Sequence, residues 1–220
     1  MGWFSSAISS VGSFISSACS AIGSVASKIG SGIANVATSI ASLGVSLAAK
    51  VGEAIKNVGI SLGIIRPEEN MEELGEKAIL SEKTPDDFNS ISEYIDHLRN
   101  DVVIDKEKFD SLSDAEKLAR SSIGASITLK GINEKLDTIV SPSFMATVAA
   151  QDLEAKEIIG TIKAYKEKNL NTDDYSLYLK DQLSIDESHK HGSALVEAYQ
   201  KLEPELTTEQ IEDKVMELKS

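Results

Sequence analysis

The side chains that could carry chemistry are few and lie far apart along the chain. His189 and His191 form the only closely spaced histidine pair, and Asp86-Asp87 and Asp173-Asp174 are two acidic pairs. Imidazoles could bind a metal ion, and paired carboxylates could act as general acid and base. Residues two apart on a helix point to different faces, so we expect the histidines to lie in a solvated turn. Both acidic pairs stand where a helix cap and the helix dipole explain them.

Sequence motifs of known enzymes are missing as well. The chain has no phosphate-binding glycine loop, dinucleotide fingerprint, His-Glu-x-x-His, calcium loop or nucleophile elbow. Cys19 is the single cysteine, which excludes an intramolecular disulfide and a cysteine-cluster metal site, and we expect it to be a small packing residue. We therefore predict no catalytic, cofactor-binding or metal-binding residue and a non-enzymatic function.

Charge divides the sequence into two parts. Residues 1–66 hold four basic side chains (Lys28, Lys50, Lys56 and Arg66) and one acid (Glu53), a net of +3, whereas the whole chain carries −13. The remaining residues therefore carry −16, without the cluster of Lys and Arg that nucleic-acid binding requires. Such asymmetry indicates two physical roles. We expect domains at 1–66 and 67–220 and no nucleic-acid partner.

The first of these parts has a helical apolar stripe on an otherwise uncharged background. Bulky apolar residues recur every three or four positions from Phe4 to Ile65, with Ala18 filling one gap, which is the α-helical period. The other positions are mostly Ser, Gly, Ala and Thr, and Lys28 is the only charged residue before Lys50. Surface helices normally carry Glu, Lys and Arg there. This composition favours helices that face lipid or pack closely on each other.

Two uncharged runs in this part, residues 2–27 and 29–49, are each long enough to cross a bilayer core. Their serines weaken insertion, which is typical of a segment that stays in water while covered and inserts once released. Gly30-Ser31-Gly32 is the expected break, because glycine disfavours helix. We expect a hairpin of helices near 3–29 and 33–64, with one continuous helix as the alternative.

Small residues follow large ones at a spacing of seven, as in Ile22-Gly23, Ile29-Gly30 and Leu43-Gly44. Glycine on one face of a helix lets another backbone approach closely. The residues predicted to contact lipid or a neighbouring helix are Phe4, Ile8, Val11, Ile15, Ile22, Gly23, Ile29, Gly30, Val36, Ile40, Leu43, Gly44, Val51, Gly52, Val58, Gly59 and Gly63.

Downstream of Pro67 the pattern predicts an acidic α-helical bundle. Helices are expected from Met71, from the Thr84 cap, from Ser113 to about Asp137, from Ser141 to about Lys168, from Thr172 to Leu183, from near Gly192 or Ser193 to Glu203, and from Thr207. Val102-Val103-Ile104 is either a short strand or a buried linker, and the linker is favoured. The predicted fold class is therefore all-α, an N-terminal amphipathic hairpin followed by a bundle.

The uncharged hairpin joined to a charged bundle resembles the layout of colicin-type pore-forming toxins. The spacing of Gly23, Gly30, Gly44, Gly52 and Gly59 is similar to that of glycine-zipper membrane proteins. Small antibacterial effectors of type VI-like secretion combine these features. This resemblance implies depolarisation of a target membrane, a cognate immunity protein and export by a secretion component.

We therefore expect a membrane-inserting, pore-forming protein that binds lipid and forms a homo-oligomer when inserted. The first residues lack a basic region and an unbroken apolar run, so we expect secretion without a signal peptide and action at a target-cell membrane. The alternative is a virion-internal or structural protein, a minor capsid or genome-ejection protein, whose N-terminal helices self-assemble or penetrate a host membrane. A third interpretation makes the hairpin the centre of a soluble bundle.

Overall fold

The computed structural model describes the backbone of residues 3–219 and the side chains of residues 12–219. This part of the chain contains thirteen α-helices and two short 3-10 turns, and no strand. The predicted all-α class is therefore confirmed. Phe4, Ile8 and Val11 lie outside the described side chains.

The chain forms two compact units, which divide between Lys135 and Leu136. The first unit contains α1 (Trp3–Ser24), α2 (Ala26–Ile29), α3 (Ser31–Ala41), α4 (Val45–Ser61), α5 (Met71–Leu80), α6 (Ile91–Asp101), α7 (Lys106–Asp110) and α8 (Asp114–Leu136), which ends at the division. The change in composition near residue 66 thus falls inside this unit. A functional division at residue 66 stays a prediction.

The N-terminal segment contains four helices where the sequence predicts two. The predicted break is present at Gly30, whose φ of 85° separates α2 from α3. A further turn at Val25 ends α1, and a second glycine with φ 85°, Gly44, separates α3 from α4. Helix α1 packs against α3, across the turn at Val25 and the break at Gly30. Additional breaks make the individual helices shorter than expected.

Local capping chemistry places most other helix starts in the first unit. The side chains of Asn70 and Ser90 accept hydrogen bonds from backbone N–H groups and begin α5 and α6. The expected helix at Thr84 is only a 3-10 turn, Pro85–Asp87, because Phe88 is extended (φ −125°, ψ 153°). Helix α6 therefore starts later than predicted. Residues 102–105 are neither helix nor strand, so the linker is correct, but its predicted burial is wrong: Val103 is 86 % exposed, and Val102 and Ile104 are half-buried.

The second unit contains α9 (Pro142–Ala150), α10 (Ala155–Glu167), α11 (Tyr175–Leu179), α12 (Ile185–Leu202) and α13 (Thr208–Glu217), with a 3-10 turn at Thr172–Asp174. The single helix predicted from Ser141 to Lys168 is divided, since Asp152 has φ 54° and Glu154 opens a new capping box. Helix α12 starts at a Ser184 capping box and continues through Gly192, so the start predicted near Gly192 is wrong. The predicted starts at Ser141 and Thr207 are correct.

Aromatic side chains form much of the interior of this second unit. Tyr165, Tyr175 and Tyr199 are fully buried, and so is Phe144. The Phe144 and Tyr175 rings meet edge to face, with centroids 5.6 Å apart. Helix α12 packs along α10 and also contacts α13. Four of the five tyrosines of the chain thus lie in the second unit.

Candidate functional site

The predicted apolar stripe of the N-terminal helices forms part of the core of the first unit. Its bulky members between Ile15 and Val58 are fully buried or half-buried. Ile22, Ile29, Ile40, Val51 and Val58 are at most 1 % exposed, whereas Ile15, Val36 and Leu43 are half-buried. The structure therefore brings most of the predicted stripe together on the inner side of these helices.

Helix α8 is the surface that covers α4. Gly59 faces Thr128, and a methyl group added at Gly59 would lie 2.7 Å from the Thr128 Cγ2 atom. One such group at Gly52 would lie 3.8 Å from the Ser121 hydroxyl, an ordinary contact distance. Both glycines are buried. Residues 51–59 thus pack on α8 through a partly small-residue interface.

Between Gly12 and Ala49 the outer side of the N-terminal helices is exposed and almost without charge, whereas the rest of α4 carries the exposed Lys50 and Glu53. Between Gly12 and Ala49 the exposed side chains are mainly serines, and Lys28 is the only ionic one. The Lys28 amino group donates a 3.4 Å hydrogen bond to the Ile79 carbonyl near the end of α5. A cation at the C-terminal end of a helix interacts favourably with its dipole. The single charge of this surface, on Lys28, is therefore paired with the C-terminal end of α5.

Several of the exposed serines satisfy their own hydroxyl groups. Ser17, Ser39 and Ser42 each donate a hydrogen bond to the backbone carbonyl four residues earlier, at 2.7–3.0 Å. Ser24 does the same to the Ala21 carbonyl. Such a bond inside the helix leaves the hydroxyl with a partner when water is withdrawn. The outer surface is consequently rich in polar residues, but fewer of its hydroxyl groups depend on water for a hydrogen bond than its serine content suggests.

The predicted glycines have three different surroundings. Gly30, Gly44 and Gly63 have positive φ values of 85°, 85° and 69°, so they shape turns between helices. Gly52 and Gly59 pack on α8, as described above. Gly23 lies in open space, with nothing within 4 Å of an added methyl group. Within one chain, therefore, the seven-residue spacing does not form a single packed glycine face.

Sequence reasoning missed the two glycines with the closest backbone contacts. A methyl group at Gly75 of α5 would lie 1.9 Å from the Arg120 carbonyl oxygen, and one at Gly124 of α8 would lie 2.0 Å from the Met71 carbonyl oxygen. Each helix therefore supplies one glycine to a reciprocal crossing. The spacing of 49 residues hid this pair, since only the fold brings them together.

An ion pair between α6 and the chain that follows α4 is partly buried. Arg99 donates from Nε to Glu69 Oε1 at 2.6 Å and from Nη2 to Glu69 Oε2 at 3.0 Å. Burial opposes the charged carboxylate, but the Arg99 hydrogen bonds and the Arg66 N–H outweigh it, so the pKa of Glu69 lies below its ordinary value. This pair fixes the chain that follows α4 onto α6.

The acidic pairs that could have served in catalysis have structural partners. Asp87 accepts hydrogen bonds from the Thr84 N–H (2.7 Å) and hydroxyl (3.1 Å), and these bonds lower the pKa of Asp87. Asp173 accepts from the Ser141 hydroxyl at the start of α9. Among the described residues no group of three or more His, Cys, Asp or Glu side chains could hold a metal ion.

The two histidines differ in their exposure to solvent, and neither lies in the turn that the sequence predicts. Both lie on α12, not in a turn. His189 is exposed, whereas His191 is only 3 % exposed. A solvated position is therefore wrong for His191, because the helix continues through Gly192 and points this ring into the second unit.

Within residues 3–219, none of the helices combines the length and the apolar character needed to cross a bilayer. Comparison with known proteins found no matching family model, curated protein or solved structure. The functional interpretation consequently depends on the residues of this chain.

Proposed function

We propose that this chain is a membrane-inserting, pore-forming protein. Its N-terminal helices α1–α4 pack against the rest of the first unit and are released at a target membrane. The observation that carries the proposal is the pairing of a buried apolar stripe with an exposed surface that has one charge between Gly12 and Ala49. Once released, the stripe would face lipid, and the serine surface would face other copies or an aqueous path.

The energetic logic concerns which groups must leave water. Moving an ionic side chain to the bilayer centre costs about 2.5–3.5 kcal/mol per residue on insertion scales. Residues 12–49, whose only ionic side chain is Lys28, avoid most of that penalty, whereas Lys50, Glu53 and Lys56 on α4 do not. Serine hydroxyls that already bond their own helix lose less on desolvation. The apolar stripe regains in lipid the burial that it gives up in the first unit.

Association of inserted copies would use glycines that are free of contacts inside one chain. Gly23 meets nothing within 4 Å and lies on the same helix as the exposed Ser13, Ser16 and Ser20. Small residues on one helix face permit close packing between helices in lipid. A homo-oligomer built on this surface would line a serine-rich path. A secretion component and an immunity protein are the partners that such a toxin requires.

A disulfide tether between α4 and α8 tests release directly. In a Cys19→Ser background, Gly52→Cys and Ser121→Cys place the two thiols across the 3.8 Å contact. We expect the reduced protein to release dye from vesicles and to conduct in planar bilayers, and the oxidised protein to lose at least about 90 % of both activities. The fluorescence of the single tryptophan, Trp3, should shift to the blue only in the reduced form.

The two single-cysteine variants in the same background are the matched controls and should respond to oxidation in neither assay. Vesicles with and without anionic lipid separate burial from charge attraction as the source of binding. Equal conductance of the oxidised and reduced double variants would contradict release of α4. Absence of vesicle binding and of current from every form would end the membrane proposal.

The alternative, a virion-internal or structural protein, is favoured by one feature of the same surface. Uncharged exposed glycine and serine residues can pack on further copies of the same chain without any lipid. Sedimentation of the full chain in lipid-free buffer distinguishes the two. Ordered assemblies without lipid would support the structural role, whereas a monomer that oligomerises only on vesicles would support the pore.

A further inference from the structure

A histidine that neither the proposed function nor any cap uses lies inside the second unit. The His191 ring is 3 % exposed, and its Nδ1 atom is 2.9 Å from the hydroxyl oxygen of Tyr165 on α10. The Tyr165 ring meets it edge to face at 5.0 Å, and the Tyr178 ring from α11 stacks on it at 6.1 Å. Three helices of the unit therefore meet at one titratable group.

Opposing influences act on the proton affinity of this ring. Burial disfavours the imidazolium and is the larger effect, while the carboxylates of Asp174, in the 3-10 turn, and Glu187, one turn earlier on α12, favour it. Tyr165 and Tyr178 are the other titratable groups that face the ring, and burial raises the pKa of both hydroxyls. As a result the pKa of His191 lies below its ordinary value of 6.5.

We propose that protonation of His191 loosens the second unit under mild acidification, which makes this unit an acid-sensitive element of the protein. The proposal is independent of the membrane activity. A proton taken up by the imidazole places a charge between α10, α11 and α12 and makes both ring nitrogens donors, so the Tyr165 hydroxyl can no longer donate to Nδ1. The helices can hydrate the charge only by separating.

The direction of the pH effect follows from the lowered pKa. The unfolded chain binds a proton at its histidine near pH 6.5, before the folded unit does, so acid favours unfolding. The stability that neutral His191 contributes is present above about pH 6.5 and decreases as the pH falls below it towards the folded-state pKa. Carboxylates with lowered pKa, such as Glu167 and Glu187, act only below about 4.5. The interval from about pH 6.5 to about pH 5 therefore isolates the histidine.

Proton NMR titration of the full-length protein measures the proposal without mutation. We expect the His191 imidazole to titrate below its ordinary value of 6.5, and the near-ultraviolet tyrosine circular dichroism to decrease over the same interval. The tyrosine signal is suited to this, because Tyr165 and Tyr178 contact the His191 ring and Tyr175 contacts Tyr165.

A His191→Gln variant tests the cause, since glutamine can hydrogen bond to Tyr165 and takes up no proton in this range. Between about pH 7.5 and about pH 5 the wild type should lose at least about 4 °C of the thermal midpoint of the second unit, and His191→Gln should lose less than half of that. His189→Gln is the matched control and should keep the wild-type loss. An unchanged loss in His191→Gln overturns the proposal. So does a His191 titration at or above pH 6.5, which remains measurable if the variant fails to fold.

Discussion

At the scale of single residues, the crossing of α5 and α8 depends on Gly75 and Gly124. Each of these Cα atoms lies against a carbonyl group of the other helix, so no side chain fits at either position. Gly23, by contrast, has open space around it. Three glycines that look alike in the sequence therefore have opposite expected responses to the same substitution.

We expect Gly75→Ala and Gly124→Ala each to lower the free energy of unfolding of the first unit by at least about 1–3 kcal/mol, because the added methyl group meets backbone and the helices must separate. Gly23→Ala is the matched control and should raise it by about 0.5–1 kcal/mol, since alanine favours helix and nothing is displaced. Urea denaturation followed by circular dichroism measures all three. A Gly75→Ala protein as stable as wild type would show that the crossing is looser than described.

At the scale of secondary-structure elements, glycines divide the N-terminal segment into short helices. Gly30 and Gly44 have φ 85° with ψ 140° and 160°, a region of backbone conformation that only glycine adopts readily. Periodicity could not reveal these breaks, because the apolar stripe keeps its phase through both of them. Whether a glycine ends a helix or continues it depends on where the next helix must pack.

Gly44→Ala should change the balance between stored and released helices. Alanine disfavours the observed backbone conformation by about 1–3 kcal/mol and favours a helix that continues from α3 into α4. We therefore expect a lower unfolding free energy for the first unit and, under the membrane proposal, several-fold faster dye release from vesicles.

The matched control for this substitution is Gly32→Ala. Gly32 lies within α3, and an added methyl group meets nothing within 4 Å. This variant should be as stable as wild type or slightly more stable, with an unchanged release rate. Faster release from both variants would indicate a general effect of helix propensity, and a slower release from Gly44→Ala would contradict the continuous-helix interpretation.

At the scale of the whole molecule, the division between Lys135 and Leu136 differs from the change in composition near residue 66. Residues 1–66 supply buried side chains such as Ile29, Val51 and Ile55 to the first unit. The rest of that unit therefore has no complete core of its own. Residues 136–220 have their own buried aromatic interior.

Two truncated chains test this organisation. A fragment of residues 136–220 should fold alone and unfold cooperatively, because its core is internal. A chain without residues 1–66 should keep the signals of the second unit but lose those of residues 67–135, whose apolar surface is then uncovered. Heteronuclear NMR spectra of both fragments would show which amide signals are dispersed. Dispersed signals from residues 67–135 in the second chain would instead support a domain boundary at residue 66.

The sequence by itself determined what acts over one or two turns of helix. The all-α class, the caps at Ser141 and Thr207 and the linker at Val102–Ile104 follow from local hydrogen bonding and periodicity. So does the amphipathic character of the N-terminal stripe, although not the surface that it contacts.

Only the tertiary structure decided which helices cross and what each crossing requires. It placed α8 against α4, brought Gly75 to Arg120, which lies 45 positions later in the chain, and turned His191 inwards beside Tyr165. Such contacts join residues that are remote in sequence, and their energies depend on the packing of several helices at once. No local pattern of residues carries that information, which is why the sequence predicts a solvated turn for the histidine pair although both residues lie on α12 and His191 is buried.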